Sequence, residues 1–373
     1  MTTIVKAANA AEFLSLVPRL LGYHPTDSLV LVPFDGARTC GAMRFDLPRD
    51  GDEIERLAAT FLGLACKIPD ADGIAVVAFT SATFADGIPH AGLVRAIETR
   101  ADACGLRVVD ALCVAADAWG SYLTEHGEPR PLAQLGDAAP AFWGDLPEPA
   151  DDQSAGAELP VIDDDTVGRV ADALRSLGDA VTLLCESGAR TDRRIDPQAL
   201  ATACVLEDLP RLFERALGWD AEALAPYDAA AMIWCLERPS LRDIAMVGWC
   251  GGVVAGDEAL EAQLRWEQGA EYPAHLAMVM WGEGDRPEPG RLQSALALTR
   301  TLAALCPEPR RAGALAMCGW LSWALGKSTH AALYAGWACE IEPEHGLAEI
   351  VASFVGAGHL PEWAFTPARA SAT

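Results

Sequence analysis

The sequence predicts two modules of different class: an α/β module with a mixed, partly parallel sheet, followed by an all-α helical module. Three observations carry this. Two apolar runs of strand length, Ile74–Phe79 and Leu106–Ala115, flank a helical segment around Gly92–Ala103. That spacing is a βαβ unit, whose strands are parallel. From Thr166 onward apolar residues recur at helical intervals. Eight of the eleven tryptophans lie beyond residue 230, which assigns the bulkier core to the helical part.

The elements follow in order. Asn9 is placed as a helix N-cap with Glu12 three residues on, and Gly22 is placed to end that helix. Ser28–Pro33 reads as a short strand, Asp35-Gly36 as a turn, and Thr39–Phe45 as the return strand. Asp50 or Asp52 starts a helix whose apolar stripe is Ile54, Leu57, Ala58, Phe61, Leu62 and Ala65. The βαβ unit comes next, its helix ended by Gly105.

These signals divide the chain into an α/β domain at 1–145, an acidic linker at 146–165 and a helical domain at 166–373. Asp145 to Asp165 holds three prolines, eight carboxylates and no basic residue, so it reads as an exposed, self-repelling connection. Ala180–Cys185 is short and apolar, and an alternative assignment adds it as a strand to the first domain's sheet. Gly282 to Gly290 marks a second exposed loop. Near the end, Ala312–Leu325 is apolar almost all round and is expected to be buried on several sides. It pairs with a second helix at Thr329–Ile341, stopped by Pro343, and Gly346–Val355 packs on the pair. Gly319, Ala331, Ala338 and Pro343 give this hairpin a tetratricopeptide-like (TPR-like) pattern. A single copy is expected to brace a helical domain, since a peptide groove needs about three.

Composition excludes several roles. With 28 basic against 53 acidic residues the formal charge is −25, which argues against direct nucleic-acid binding and against docking on anionic lipid. No apolar stretch reaches the ~20 residues of a membrane span. The first residues lack the pattern of a secretory leader, so a cytoplasmic location is expected. The eleven cysteines form no CxxC pair and mostly sit in apolar runs, so they are expected to be buried free thiols. No phosphate loop, GxGxxG, HExxH or GxSxG is present, and the seven histidines are widely separated. No catalytic constellation, metal site or cofactor is expected.

Candidate ligand-binding residues gather at two places. Gly22–Ser28 offers Tyr23, His24, Asp27 and Ser28 between the first helix and the first strand. The structural alternative is a helix stop followed by a capped turn. Arg44, with Asp46 and Arg49, closes the return strand. It suits either anion recognition or a surface ion pair. Asp117, Trp119 and Tyr122 follow the second parallel strand, where ligands bind in open α/β sheets. Aromatic closure of the sheet edge is the plain alternative.

The stretch Leu20-Leu21-Gly22-Tyr23-His24-Pro25-Thr26-Asp27-Ser28-Leu29-Val30, followed by Arg44-Phe45-Asp46-Leu47-Pro48, resembles the actinobacterial proteins of domain-of-unknown-function family 4192. Similar correspondences recur at Trp119–Tyr122, at Leu241-Arg242-Asp243 and from Ala316 to Pro343. Members commonly carry a cysteine-rich insert after the tryptophan–tyrosine segment. Here Leu123–Pro129 has no cysteine, so a metal role for that insert is not carried over. The resemblance implies a cytoplasmic actinobacterial or phage protein and no particular activity.

The leading expectation is a non-enzymatic interaction or scaffold protein with a protein partner, basic surfaces being favoured by the negative field. The alternatives are a ligand-binding protein or enzyme with a pocket at the rim of the N-terminal sheet, and an acidic DNA mimic. The oligomeric state is not legible.

Overall fold

The computed structural model describes residues 7–49, 51–124, 128–137, 148–185 and 195–366. It separates into two compact units, Met1–Gly156 and Ala157–Thr373. The expected boundary at 145/146 lies outside the described residues.

Unit 1 opens with α1 (Ala10–Leu21), where the Asn9 side chain accepts from the Glu12 N–H and Gly22 adopts the left-handed stop. The strands and helices that follow are β1 (Ser28–Asp35), β2 (Arg38–Thr39), β3 (Met43–Asp46), α2 (Ile54–Ala65), β4 (Gly73–Phe79), α3 (Ala91–Cys104), β5 (Arg107–Val114), β6 (Trp119–Ser121) and the short α4 (Ala133–Asp137). The sheet runs β2-β1-β4-β5-β6, with β3 also paired to β1. Among the named strands β4–β5 is parallel, and β1–β4 and β5–β6 are antiparallel. The fold is therefore the mixed α/β sheet the sequence predicts.

One return strand was expected at Thr39–Phe45, but two pieces form. Two residues of β1, Val32 and Pro33, stand opposite three, Cys40 to Ala42. Such a bulge bends the edge of the sheet. At the next helix, Glu53 rather than Asp50 or Asp52 occupies the N-cap, and the Asp52 carboxylate accepts from the Arg49 N–H instead.

Alternation within the strands fills both faces. Leu29, Leu31, Ile74, Val76 and Ala78 pack under α2 and α3. Val30, Val32, Ala75 and Val77 pack with Leu14 and Val17 of α1 on the other side. All seven residues of β4 are buried, and each buried aliphatic side chain of valine size or larger stabilises the fold by roughly 1.5–3 kcal/mol. The acidic stretch from 146 to 165 begins, in its described part, by pairing with unit 1. Glu148 bonds Arg19, Ala150 bridges Tyr23, and the Gln153 side chain accepts from Thr26.

Unit 2 is all helical: α5 (Asp164–Cys185), α6 (Pro197–Val205), α7 (Leu209–Ala216), α8 (Pro226–Leu236), α9 (Pro239–Gly251), α10 (Val253–Glu267), α11 (Ala274–Ala277), α12 (Pro289–Leu305), α13 (Ala312–Ala324), α14 (Ser328–Ile341) and α15 (Gly346–Gly356). Ala180–Cys185 is the last part of α5, not a strand. Among the described residues no helix is long and apolar enough to cross a membrane.

One contiguous core fills this unit, with Trp249, Trp320 and Trp323 fully buried. A buried indole N–H must find an acceptor. Trp249 donates to the Phe213 carbonyl (3.1 Å), Trp320 to Met280 (3.0 Å), Trp323 to His359 (2.7 Å) and Trp363 to Ala324 (3.1 Å). Arg291 ties three helices together: its two Nη atoms donate to both carboxylate oxygens of Glu214 at 2.7 Å, and one also reaches the Gly248 carbonyl. Every residue of α13 is buried. A Cβ on Gly319 would lie 3.4 Å from the backbone of Ala331 and Ala335, so the small residues set how closely α13 and α14 approach.

The thiols depart from expectation. All eleven cysteines are free, but Cys40, Cys66, Cys104, Cys185 and Cys204 are exposed. These mostly lie at helix ends and in an edge segment, where an apolar neighbourhood in sequence does not become a core position.

Gly282 has φ +80°, and a Cβ there would fall 2.5 Å from Pro361 and 2.7 Å from the Trp323 ring. Gly282→Ala is expected to destabilise unit 2 by about 2–4 kcal/mol through overpacking and backbone strain. Urea unfolding checks this; a midpoint equal to wild type refutes it.

Candidate functional site

The register of the sheet builds one edge of unit 1 from polar residues. Ser28 at the start of β1 pairs with Phe79 at the end of β4 and with Asp46 at the end of β3. The residues just beyond, Asp27 on one chain and Thr80-Ser81 on the other, therefore meet. Asp27 Oδ1 accepts from the Ser81 N–H (2.8 Å) and from its hydroxyl (2.9 Å). Ten residues later the chain returns at His90, directly before α3, and His90 Nε2 lies 3.2 Å from Thr80 Oγ1. The Ala82 N–H donates to the same Thr80 oxygen at 3.2 Å, which leaves the Thr80 proton free to point at the imidazole.

These groups face an open cavity of about 480 Å³. Asp27, Thr80, Ser81 and His90 line one side, and the segment Asp46–Arg49 lines the other. Burial pushes the His90 imidazole below its ordinary 6.5, and the Asp27 charge opposes that push. The ring is therefore neutral near pH 7 and able to accept a hydrogen bond from a hydroxyl. Among the described residues only Asp27 (φ 41°), Asp70 (φ 62°) and His90 (φ 57°) are non-glycine residues in the left-handed region. Two of the three line this cavity. Among the described residues no three His, Cys, Asp or Glu side chains are placed to hold a metal ion.

The residues singled out from sequence fall into three places. Asp27 lines the cavity. Asp117 and Tyr122 do not, but they hold the segment that does: Asp117 accepts from the Phe84 N–H (3.1 Å), and the Tyr122 hydroxyl donates to the Pro89 carbonyl (2.6 Å). Burial raises the Tyr122 phenol far above its ordinary value, so it serves as a fixed donor. Ser28 and Arg44 form the support beneath. The buried Ser28 hydroxyl donates to Thr26 O and accepts from Arg44 Nε, each at 2.7 Å, and Arg44 pairs with Asp46 at 2.6 Å.

Tyr23 and His24 belong to the structural tie with Ala150; the His24 N–H donates to its carbonyl at 2.9 Å. Trp119 is buried at the sheet end under the Arg130 guanidinium, 4.9 Å from the ring centre. An imidazole, a carboxylate and two hydroxyls thus border one cleft. Sequence reasoning missed Thr80, Ser81 and His90. The rule that ligands sit beyond the carboxyl ends of parallel strands, applied after β5, applies equally after β4 and points to Thr80 and Ser81.

His90 carries a testable sign. Its folded value lies below its unfolded one, so its contribution to stability is complete above pH ~6.5 and declines as pH falls toward the folded value. An NMR titration of the ring is expected to give a midpoint under 6.5, and Asp27→Asn to lower it further by removing the opposing charge. A midpoint at or above 6.5, or a rise in Asp27→Asn, contradicts the geometry.

No curated protein and no solved structure matches the chain. A family model described as Domain of unknown function (DUF4192) matches residues 11–290, a span that includes every residue of the cavity. The chain belongs to the DUF4192 family.

Proposed function

We propose that unit 1 is a small-ligand-binding module and that the rim cavity holds a neutral or cationic polar metabolite. The observation that carries this is the convergence of Asp27, Thr80, Ser81 and His90 on a cavity of about 480 Å³ beyond the parallel strands. Ligand pockets of that size and position are the usual sites of open α/β sheets. The lining carries two carboxylates, Asp27 and Asp46, against one guanidinium, Arg49, and with the net charge of −25 this disfavours anions. A neutral imidazole beside a hydroxyl recognises O–H and N–H groups by donating and accepting.

A thermal-shift screen with sugars, nucleosides, amines and amino acids tests this reading. A ligand that binds only the folded protein raises its melting temperature. The expected outcome is a saturable rise in the wild type that is lost in His90→Ala and reduced in Asp27→Asn. A screen without any such rise, or a rise unchanged in both variants, removes the proposal.

A second reading gives unit 2 an interaction role as a TPR-like module. It is supported by α10, which leaves Val254, Leu264 and Trp266 more than half exposed. In this reading the α13–α14 hairpin braces the unit and α10 meets the partner. Salt-sensitive capture of a basic protein by wild type but not by Trp266→Ala is expected; capture equal to that of a charge-matched control protein refutes it.

A further inference from the structure

The connectivity of unit 1 places two thiols together. β3 and β4 both run antiparallel to β1, so they point the same way. β4 and β5 are parallel. The connecting helices α2 and α3 must each return against those strands, and they lie on the same face of the sheet. They are therefore parallel neighbours whose first turns meet at one end and whose last turns meet at the other. Ile54 shows the first meeting: its Cδ1 lies 3.9 Å from where a Cβ of Gly92 would stand. At the far end α2 is capped by Cys66 and α3 ends at Cys104. Both side chains are exposed, and the Cys104 thiol lies near enough to raise the proton affinity of Cys66.

We propose that Cys66 and Cys104 are an oxidation site, closing to a reversible disulfide that clamps the ends of α2 and α3 when the protein meets a hydroperoxide. One thiolate attacks an oxygen of hydrogen peroxide; the S–O bond forms as the O–O bond breaks, and the departing oxygen leaves as water after taking up a proton. The second sulfur, having lost its proton, attacks the sulfenic sulfur; the S–S bond forms as the S–O bond breaks, and the hydroxyl leaves as a second water. Together the sulfurs give up two electrons and two protons, and one peroxide becomes two waters. A dithiol reductant reverses the step by exchange.

The two residues sit at corresponding ends of packed, parallel helices, so bridging them needs no change of connectivity. α3 is 14 residues long, so the pair lies about 20 Å along the helix from His90. Burial and the neighbouring thiol both raise the proton affinity of Cys66. Oxidation should consequently quicken as pH rises, because only the thiolate reacts.

The experiment is peroxide treatment of the folded full-length protein, alkylation of remaining thiols, and peptide mapping without reductant. Cys40 and Cys204, also exposed, serve as internal references. The expected result is a cross-linked peptide pair containing Cys66 and Cys104, two hydrogens lighter than its reduced parts. It should appear before loss of the reference thiols, faster at higher pH, and revert with dithiothreitol. Cys66→Ser and Cys104→Ser, both at exposed positions, should each abolish it. Circular dichroism of each variant confirms its fold. The proposal is overturned if the two cysteines oxidise singly to sulfinic or sulfonic acid, if they stay alkylatable to the same extent as Cys40, or if the cross-link forms equally well in denaturant.

Discussion

Unit 1 depends on the pairing of β1 with β4, two strands buried on both faces. In a sheet with one wet face, polarity alternation selects the register, because a slip of one residue puts apolar side chains in water. Here that protection is weak: Leu29 and Leu31 face one helical layer while Val30 and Val32 face the other. The polar ends supply what the middle cannot. Ser28 is held between Thr26 and Arg44, and Asp27 takes both the amide and the hydroxyl of Ser81. A slipped register would bury the Ser28 hydroxyl without partners, at a cost of about 1–3 kcal/mol. Of the groups that lock the strands, Asp27 and Ser81 also border the cavity.

The cavity follows from that lock. Three anchors fix the segment between β4 and α3: Asp27 at Ser81, Asp117 at Phe84 and Tyr122 at Pro89. Asp27 precedes β1, Asp117 lies between β5 and β6, and Tyr122 follows β6 opposite Ala111. Between them the segment is held beside the gap bordered by Asp46–Arg49. The anchoring also sets the protonation of His90, since the ring is drawn far enough into the protein for burial to outweigh the Asp27 charge.

Much of this was legible in the residues, and the rest was not for identifiable reasons. Helices and buried strands announce themselves through local periodicity, as do the left-handed stops at Gly22 and Gly105. Asp27, Asp117 and Tyr122 stood out because each lies in a short polar segment beside an apolar run. His90 carried no such mark: its partner Thr80 is ten residues away, and their meeting depends on where the crossover returns. Ala180–Cys185 shows the opposite failure. A short apolar run suits a strand or a helix end equally, and here it is the end of α5, with Leu183 and Leu184 exposed. The edge bulge at Cys40–Ala42 likewise depends on β1, which no local pattern reveals.

The buried indoles of the two units are treated differently, and the exception falls on the rim. In unit 2 the buried indoles of Trp249, Trp320, Trp323 and Trp363 each find a carbonyl. In unit 1 the Trp119 indole N–H is buried without a partner, and the cation above its ring offsets only part of that loss. Asp27 and His90 add backbone strain of order 1 kcal/mol or more each. All three lie at the end of the sheet where the parallel strands finish. On backbone grounds alone glycine would serve better at 27 and 90. What the aspartate and histidine provide in return is side chains, one holding Ser81 and the other facing Thr80, and both opening onto the same cavity. The strain at this edge is thus set against the hydrogen bonds those two side chains make there.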